Sequence, residues 1–176
     1  MSKTLTLPLS KKDVTGLSVG DEVYLSGILC TARDEAHGLL LQKKPSDLPF
    51  DLSQMALYHC GPLMRKEKKG WKVISAGPTT SSRMDELTAD IVHRFSLNAI
   101  IGKGKMGENV KETLKETGVF FVFTGGAGAL AADLIKKVND VFWLEELGMA
   151  EAVWLFTVER FGPLIVAIDA KGNSLF

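Results

Sequence analysis

The sequence is poor in cysteine and histidine, and neither sign of charge is in excess. Its 176 residues include two cysteines, Cys30 and Cys60, and three histidines. Two thiols are too few for a disulfide framework, a four-thiolate zinc site or a self-contained iron–sulfur cluster. Lysine plus arginine number 21 and aspartate plus glutamate 21, so the formal net charge is zero. A surface that tracks a nucleic-acid backbone usually carries a basic excess, and this balance argues against a polyanionic partner. Long apolar runs are missing too. The longest uncharged stretch, Thr117 to Ala132, is short of a bilayer span and is broken by Gly118, Gly125, Gly126 and Gly128, so no membrane association is expected. The segment Met1–Pro8 has no apolar core of signal-peptide length, which with the scarcity of cysteine predicts a cytoplasmic location.

What is present is ordinary for a globular chain: 45% hydrophobic and 24% charged residues. At about 150 residues per domain the length predicts one domain over 1–176, able to bury roughly 70% of its unfolded surface without a metal staple. The first third is strand-like. Thr4-Leu5-Thr6-Leu7 and Glu22-Val23-Tyr24-Leu25-Ser26 alternate with the period of half-buried strands, the second entered through a turn at Val19–Glu22. Asp34 is placed to cap a short helix through Leu41, with Arg33 at its mouth, and Lys43–Pro49 reads as a loop. From Trp71 the pattern changes to apolar run, glycine-rich turn and helix, three times over. Lys72–Ser75 leads to Gly77–Thr80 and a helix over Met84–Phe95. Ala99–Ile101 leads to Gly102–Gly107 and a helix around Val110–Glu116. Val119–Phe123 leads to Gly125–Gly128 and a helix to Val138. Two final strands, Ala152–Val158 and Leu164–Asp169, are expected to be joined by a turn at Glu159–Pro163. The pattern predicts an α/β fold whose loops gather at the C-terminal edge of a parallel or mixed sheet, where ligands bind.

Three turns carry chemistry. Gly102-Lys103-Gly104-Lys105-Met106-Gly107 has the G-x-G-x-x-G spacing of dinucleotide turns, but the acidic residue expected about 20 positions on is absent. A turn presenting Lys103 to a carboxylate or phosphate fits these residues better. In Gly77-Pro78-Thr79-Thr80-Ser81-Ser82-Arg83, four hydroxyls sit where a helix begins, and Arg83 adds a fork for a carboxylate. A helix cap needs one hydroxyl rather than four, so the run is read as a site. Thr31-Ala32-Arg33-Asp34-Glu35-Ala36-His37 adds a further cation with acids and a histidine; by itself that pattern is equally that of a helix surface.

Taken together, Thr-Ala-Arg-Asp-x-Ala-His, Gly-Pro-Thr-Thr-Ser-x-Arg-Met-Asp, Ile-Gly-Lys-Gly and Phe-Thr-Gly-Gly-Ala resemble the β subunit of iron–sulfur-dependent class I fumarate hydratases and L-tartrate dehydratases. In single-chain class I fumarases the same region is the C-terminal domain. The likeness runs from about Leu5 to Lys171, with the motifs in the family's order. It implies a three-layer swivelling β/β/α domain that closes over a [4Fe–4S] cluster held by a separate α subunit, in a heterodimer or a dimer of heterodimers. This chain would then be a hydro-lyase subunit, fumarate hydratase in the first instance, active only with its partner. Arg33, Arg83 and Lys103 would bind the substrate carboxylates, and Thr79 would take the proton from carbon. Thr80 would hydrogen-bond substrate or hold the turn. Asp34 and His37 would orient Arg33, and Gly102 and Gly104 would shape the Lys103 turn. No metal ligand falls on this chain, and Cys30 and Cys60 are expected to be small buried residues. The alternatives are an L-tartrate dehydratase β subunit, a stand-alone small-anion or nucleotide-binding module, and a non-catalytic interaction subunit.

Overall fold

The computed structural model describes residues 2–176. Chain order is β1 (Lys3–Thr6), α1 (Lys11–Gly16), β2 (Glu22–Thr31), α2 (Asp34–Leu41), β3 (Ala56–Tyr58), β4 (Leu63–Lys66) and β5 (Trp71–Ser75). It continues through α3 (Asp85–Phe95), β6 (Ala99–Gly102), α4 (Glu108–Leu114), β7 (Val119–Val122), α5 (Gly128–Leu134), β8 (Ile135–Phe142), α6 (Leu144–Leu147) and β9 (Val153–Ile168). Among the described residues no helix is long and apolar enough to cross a membrane.

The apolar pairs Leu57-Tyr58, Ile100-Ile101 and Phe120-Phe121 explain the architecture. Neighbouring strand residues point to opposite faces, and here both faces are buried, so each strand needs cover on two sides. Tyr58, Ile101 and Phe121 join one apolar cluster with Leu25, Trp154, Phe156 and Phe161. Leu57, Ile100 and Phe120 join another with Ala36, Leu40, Ala89, Val92, Phe95, Val110 and Leu114 of the helices α2, α3 and α4. Strands β1, β2, β3, β6 and β7 run parallel, and β9 pairs antiparallel with both β2 and β7. The pairing therefore closes β2, β3, β6, β7 and β9 into a ring, with β1 and β8 on its margins. The first cluster fills the ring and the second lies between it and the helices. This is the expected mixed-sheet α/β fold, and the two walls of the ring with the helix layer make three layers. Helix α3 shows the local logic: Thr88, Ala89, Val92 and Phe95 form its buried face, and it stops at Ser96 in a left-handed conformation (φ 52°).

Four local readings need correction. The two terminal strands are one, β9: Arg160 (φ 51°) and Gly162 (φ 157°) take up bulges, yet Phe161 and Leu164 stay paired with Leu25 and Val23. Strand β5 pairs only with β4 in a separate hairpin, so the first strand–turn–helix unit does not contribute its strand to the main sheet. The third helix ends at Leu134 and the chain continues into β8, because Ile135 to Phe142 pair along β9. Asp34 is the first residue of α2 and not its cap; Arg33 occupies the cap position in extended conformation without a side-chain cap bond.

Candidate functional site

Parallel strands bring their C-terminal ends to one edge, where Arg33 and Lys103 lie, and the Thr79–Arg83 turn, which follows the separate β5, is held against it by Ser81 and Lys103. Arg33 follows β2, Lys103 follows β6, and Thr79, Thr80 and Arg83 lie on the turn before α3. The turns are tied to one another. Asp34 Oδ2 lies 3.1 Å from Arg83 Nη2 and 3.9 Å from Arg33 Nη2, so one carboxylate bridges two of the cations. Thr80 is bridged to Lys103, and Ser81 N–H donates to the Lys103 carbonyl at 3.0 Å. A methyl group on Gly125 would stand 3.1 Å from Lys103 Cδ, so the lysine stem lies across the third glycine turn.

The three cations are held differently. Arg33 is half-buried, its side chain 23% exposed, with Nε 3.3 Å from Glu151 Oε1. Glu151 also accepts the Glu35 N–H at 3.0 Å, which fixes the carboxylate against the start of α2. Gly61 packs on the other side: a Cβ there would meet Arg33 Cδ at 2.5 Å and the Ala150 carbonyl at 2.7 Å. Arg83 is 52% exposed. Lys103 is half-buried and is in no ion pair among the described residues. Asp34 therefore contacts Arg83 more closely than the Arg33 it was expected to orient. Thr79 is half-buried and Thr80 exposed. Gly104 is exposed with φ 76°, the left-handed turn that glycine adopts without strain. Two clefts of about 540 Å³, one lined by Pro45, Leu48 and Phe50 and the other by Lys11, Lys115 and Ala170, lie away from these turns.

Beneath that surface lies a buried polar layer. His37 and His59 are fully buried with ring centroids 5.2 Å apart. His37 Nδ1 is 2.8 Å from the Arg33 carbonyl, and His59 Nδ1 is 2.9 Å from Ser81 Oγ. Ser81 Oγ also accepts the Lys103 N–H at 3.1 Å. His37, and Ser81 as one hydroxyl of four, are legible in the sequence; His59, Gly61 and Glu151 are not. Burial pushes His37 down from 6.5 to about 4, against the opposing effects of its Arg33 hydrogen bond and of Asp34. Burial, with His37 alongside, also holds His59 well below its ordinary value.

That shift has a consequence for stability. In the unfolded chain His37 binds its proton near pH 6.5, in the folded chain only near pH 4, so between those values the unfolded state holds more protons. The stabilisation is complete above about pH 6.5 and is lost as pH falls toward 4, with His59 acting in the same direction. Denaturant unfolding at about pH 7.5 and about pH 5 is expected to show a loss of about 2 kcal/mol from His37 alone. His37→Asn should flatten the dependence; equal stability at the two pH values in the unmodified chain would contradict the burial of these rings.

Cys30 and Cys60 are both buried, and burial pushes both thiols above their ordinary range. Neither is placed to offer a thiolate, and among the described residues no three histidine, cysteine or acidic side chains group as metal ligands. The residues of this chain do not fit an iron–sulfur cluster.

Residues 2–176 match the family model described as fumarase C-terminus. A Methanocaldococcus jannaschii protein provisionally named L(+)-tartrate dehydratase subunit beta is 46% identical over 171 residues, covering 96% of this chain and 88% of its own length. The L(+)-tartrate dehydratase subunit beta of Escherichia coli is 39% identical over 177 residues, covering 99% of this chain and 87% of its own. A Geobacillus stearothermophilus protein provisionally named fumarate hydratase class I is 41% identical over 174 residues, covering 98% of this chain and 33% of its own.

Proposed function

Because the chain belongs to the fumarase C-terminus family, we propose that it is the β subunit of a heteromeric hydro-lyase that adds water to fumarate to give L-malate. The observation that carries this reading is the linking, at one sheet edge, of three separate turns that bear Arg33, Arg83 and Lys103. A dicarboxylate carries two negative charges and is matched by fixed cations in separate places. Arg33, braced by Glu151, holds one carboxylate, and Arg83 and Lys103 hold the other. Thr79 is assigned the proton exchange at carbon, giving the proton to carbon as fumarate is hydrated and taking it from L-malate in the reverse direction, with Lys103 on the turn bridged to Thr80 as the nearby cation.

The name subunit beta carried by the Methanocaldococcus and Escherichia relatives supports a partner that completes the site. The partner proposed is an α subunit, which would carry the [4Fe–4S] cluster that the family resemblance implies. No step assigned to this chain runs through that cluster. L-tartrate is the second reading, favoured by the names of the Methanocaldococcus and Escherichia relatives. The complex isolated through a tag on this chain is expected to show a higher kcat/KM for fumarate and L-malate than for L-tartrate. The reverse order would move the assignment to L-tartrate, and turnover of neither would remove the hydro-lyase reading.

A further inference from the structure

His59 lies at the centre of the contacts that hold the cationic edge together. Its backbone N–H donates to the Ile101 carbonyl at 2.8 Å, and its own carbonyl accepts the Thr79 N–H at 2.8 Å. Its ring reaches Ser81 Oγ, so one residue grips the Thr79–Ser81 turn at both ends. Ser81 in turn holds the Lys103 peptide twice, by its N–H to the Lys103 carbonyl and by its Oγ from the Lys103 N–H. The room for this contact comes from Gly102, where a Cβ would lie 1.8 Å from Ser81 Oγ.

Donor accounting assigns the protons. The Lys103 amide can only donate, so Ser81 Oγ accepts there and keeps its own O–H to give. Its other partner is His59 Nδ1. If Nδ1 carried the ring proton, the Ser81 O–H and the His59 Nε2 lone pair would both be buried without partners. Nε2 has no partner in either tautomer; if it carries the proton, the serine hydroxyl is satisfied and one buried group rather than two is left unpaired. His37 must be the opposite tautomer, because its Nδ1 meets a carbonyl and has to donate; its Nε2 is then a bare acceptor, also unpartnered. Two buried rings 5.2 Å apart thus carry complementary free groups, a donor on His59 and an acceptor on His37.

We propose that His59, in its Nε2–H tautomer, and Ser81 are a positioning pair that locks the Thr79–Thr80 turn and the Lys103 peptide in one geometry. The pair touches no substrate. It acts on the reaction through Thr79 and Lys103, and its kinetic consequence rests on the function proposed above. A displacement of about 1 Å at groups that bind and deprotonate substrate costs on the order of 10²-fold in rate.

The test has two arms. Nitrogen-15 NMR of the full chain should show His59 protonated at Nε2 and His37 at Nδ1, and hydrogen exchange should find the Lys103 amide protected. In Ser81→Ala and His59→Leu that protection is lost. In His59→Asn it survives, because the carboxamide oxygen can accept the Ser81 hydroxyl where Nδ1 did. In the complex with the partner subunit, Ser81→Ala and His59→Leu should lower kcat about 10²-fold with KM changed less than about threefold, and His59→Asn should restore most of it. Ser81→Ala carries both arms alone if His59→Leu does not fold. Protonation of His59 at Nδ1, an unchanged Lys103 amide in Ser81→Ala, or wild-type kcat in a folded Ser81→Ala complex would overturn the proposal. If the unmodified complex turns over neither substrate, the proposed function falls, and the tautomer and exchange readings decide the positioning role without it.

Discussion

Arg33→Ala in the assembled complex is expected to lower kcat/KM for the dicarboxylate about 10³-fold, the loss of two charge-assisted hydrogen bonds at roughly 2 kcal/mol each. Arg33 stands out because its guanidinium is flanked on several sides. The cap position of α2 sets its backbone, Glu151 Oε1 lies 3.3 Å from Nε as an ion pair without a hydrogen bond, and Gly61 packs against the stem. A carboxylate arriving there meets a fork whose ordering cost was met on folding. Arg33→Lys keeps the charge but not the planar fork, and should recover only about tenfold of the loss. Removing the guanidinium leaves Glu151, 18% exposed, without its cation, so a modest fall in melting temperature should accompany the kinetic effect. Steady-state kinetics with a thermal melt separate the two. Near-normal kcat/KM in a folded Arg33→Ala complex would take Arg33 out of the substrate site.

The second large effect is expected at Gly102. Its added Cβ would overlap Ser81 Oγ at 1.8 Å and crowd His59 Nδ1 and Phe120 Cε2, each at 3.1 Å. Ser81, itself fully buried, cannot turn away without giving up both the Lys103 amide and the His59 ring. Gly102→Ala is therefore expected to cost about 3 kcal/mol, combining overpacking with a broken buried polar network, or roughly 10 °C in melting temperature. Removing the obstructing hydroxyl should recover part of it. Ser81→Ala with Gly102→Ala should be more stable than Gly102→Ala alone, a coupling of about 1–2 kcal/mol read from a double-mutant cycle. A Gly102→Ala chain as stable as the parent would show that the turn has slack, and would weaken the positioning role of Ser81 with it.

Arg33, Thr79, Arg83 and Lys103 could be read before any coordinates because each sits in a short local motif just past a strand or at a helix start. Strands β2 and β6 deliver the Arg33 and Lys103 motifs to one edge, and the Thr79–Arg83 turn meets them there through Ser81 and Lys103. What held them in place was not local. Glu151 reaches the start of α2 from 116 residues away, and a lone glutamate after Ala150 carries no spacing that points there. His59 follows β3, which at three residues is too short to show a period, so the strand that would have placed it at the edge went unread. Ser81 was seen as one hydroxyl of four, and only burial separates it from its neighbours: it is fully buried where Thr80 and Ser82 are exposed. The error at β9 has a related cause. Gly162-Pro163 is ordinary turn chemistry, but the register with β2 resumes beyond it at Leu164, so the same residues make bulges in a strand that keeps its direction. The zero net charge was likewise an average. It concealed three cations on one sheet edge, two of them sharing Asp34.

The central claim is that this chain supplies a carboxylate-binding half of a site whose other half lies on a partner. The most direct measurement is the rate of fumarate hydration by the purified chain, by the partner subunit, and by their equimolar mixture under anaerobic conditions. No turnover by either alone and full turnover on mixing is the predicted result. Sustained hydration of fumarate by this chain without the partner would contradict it.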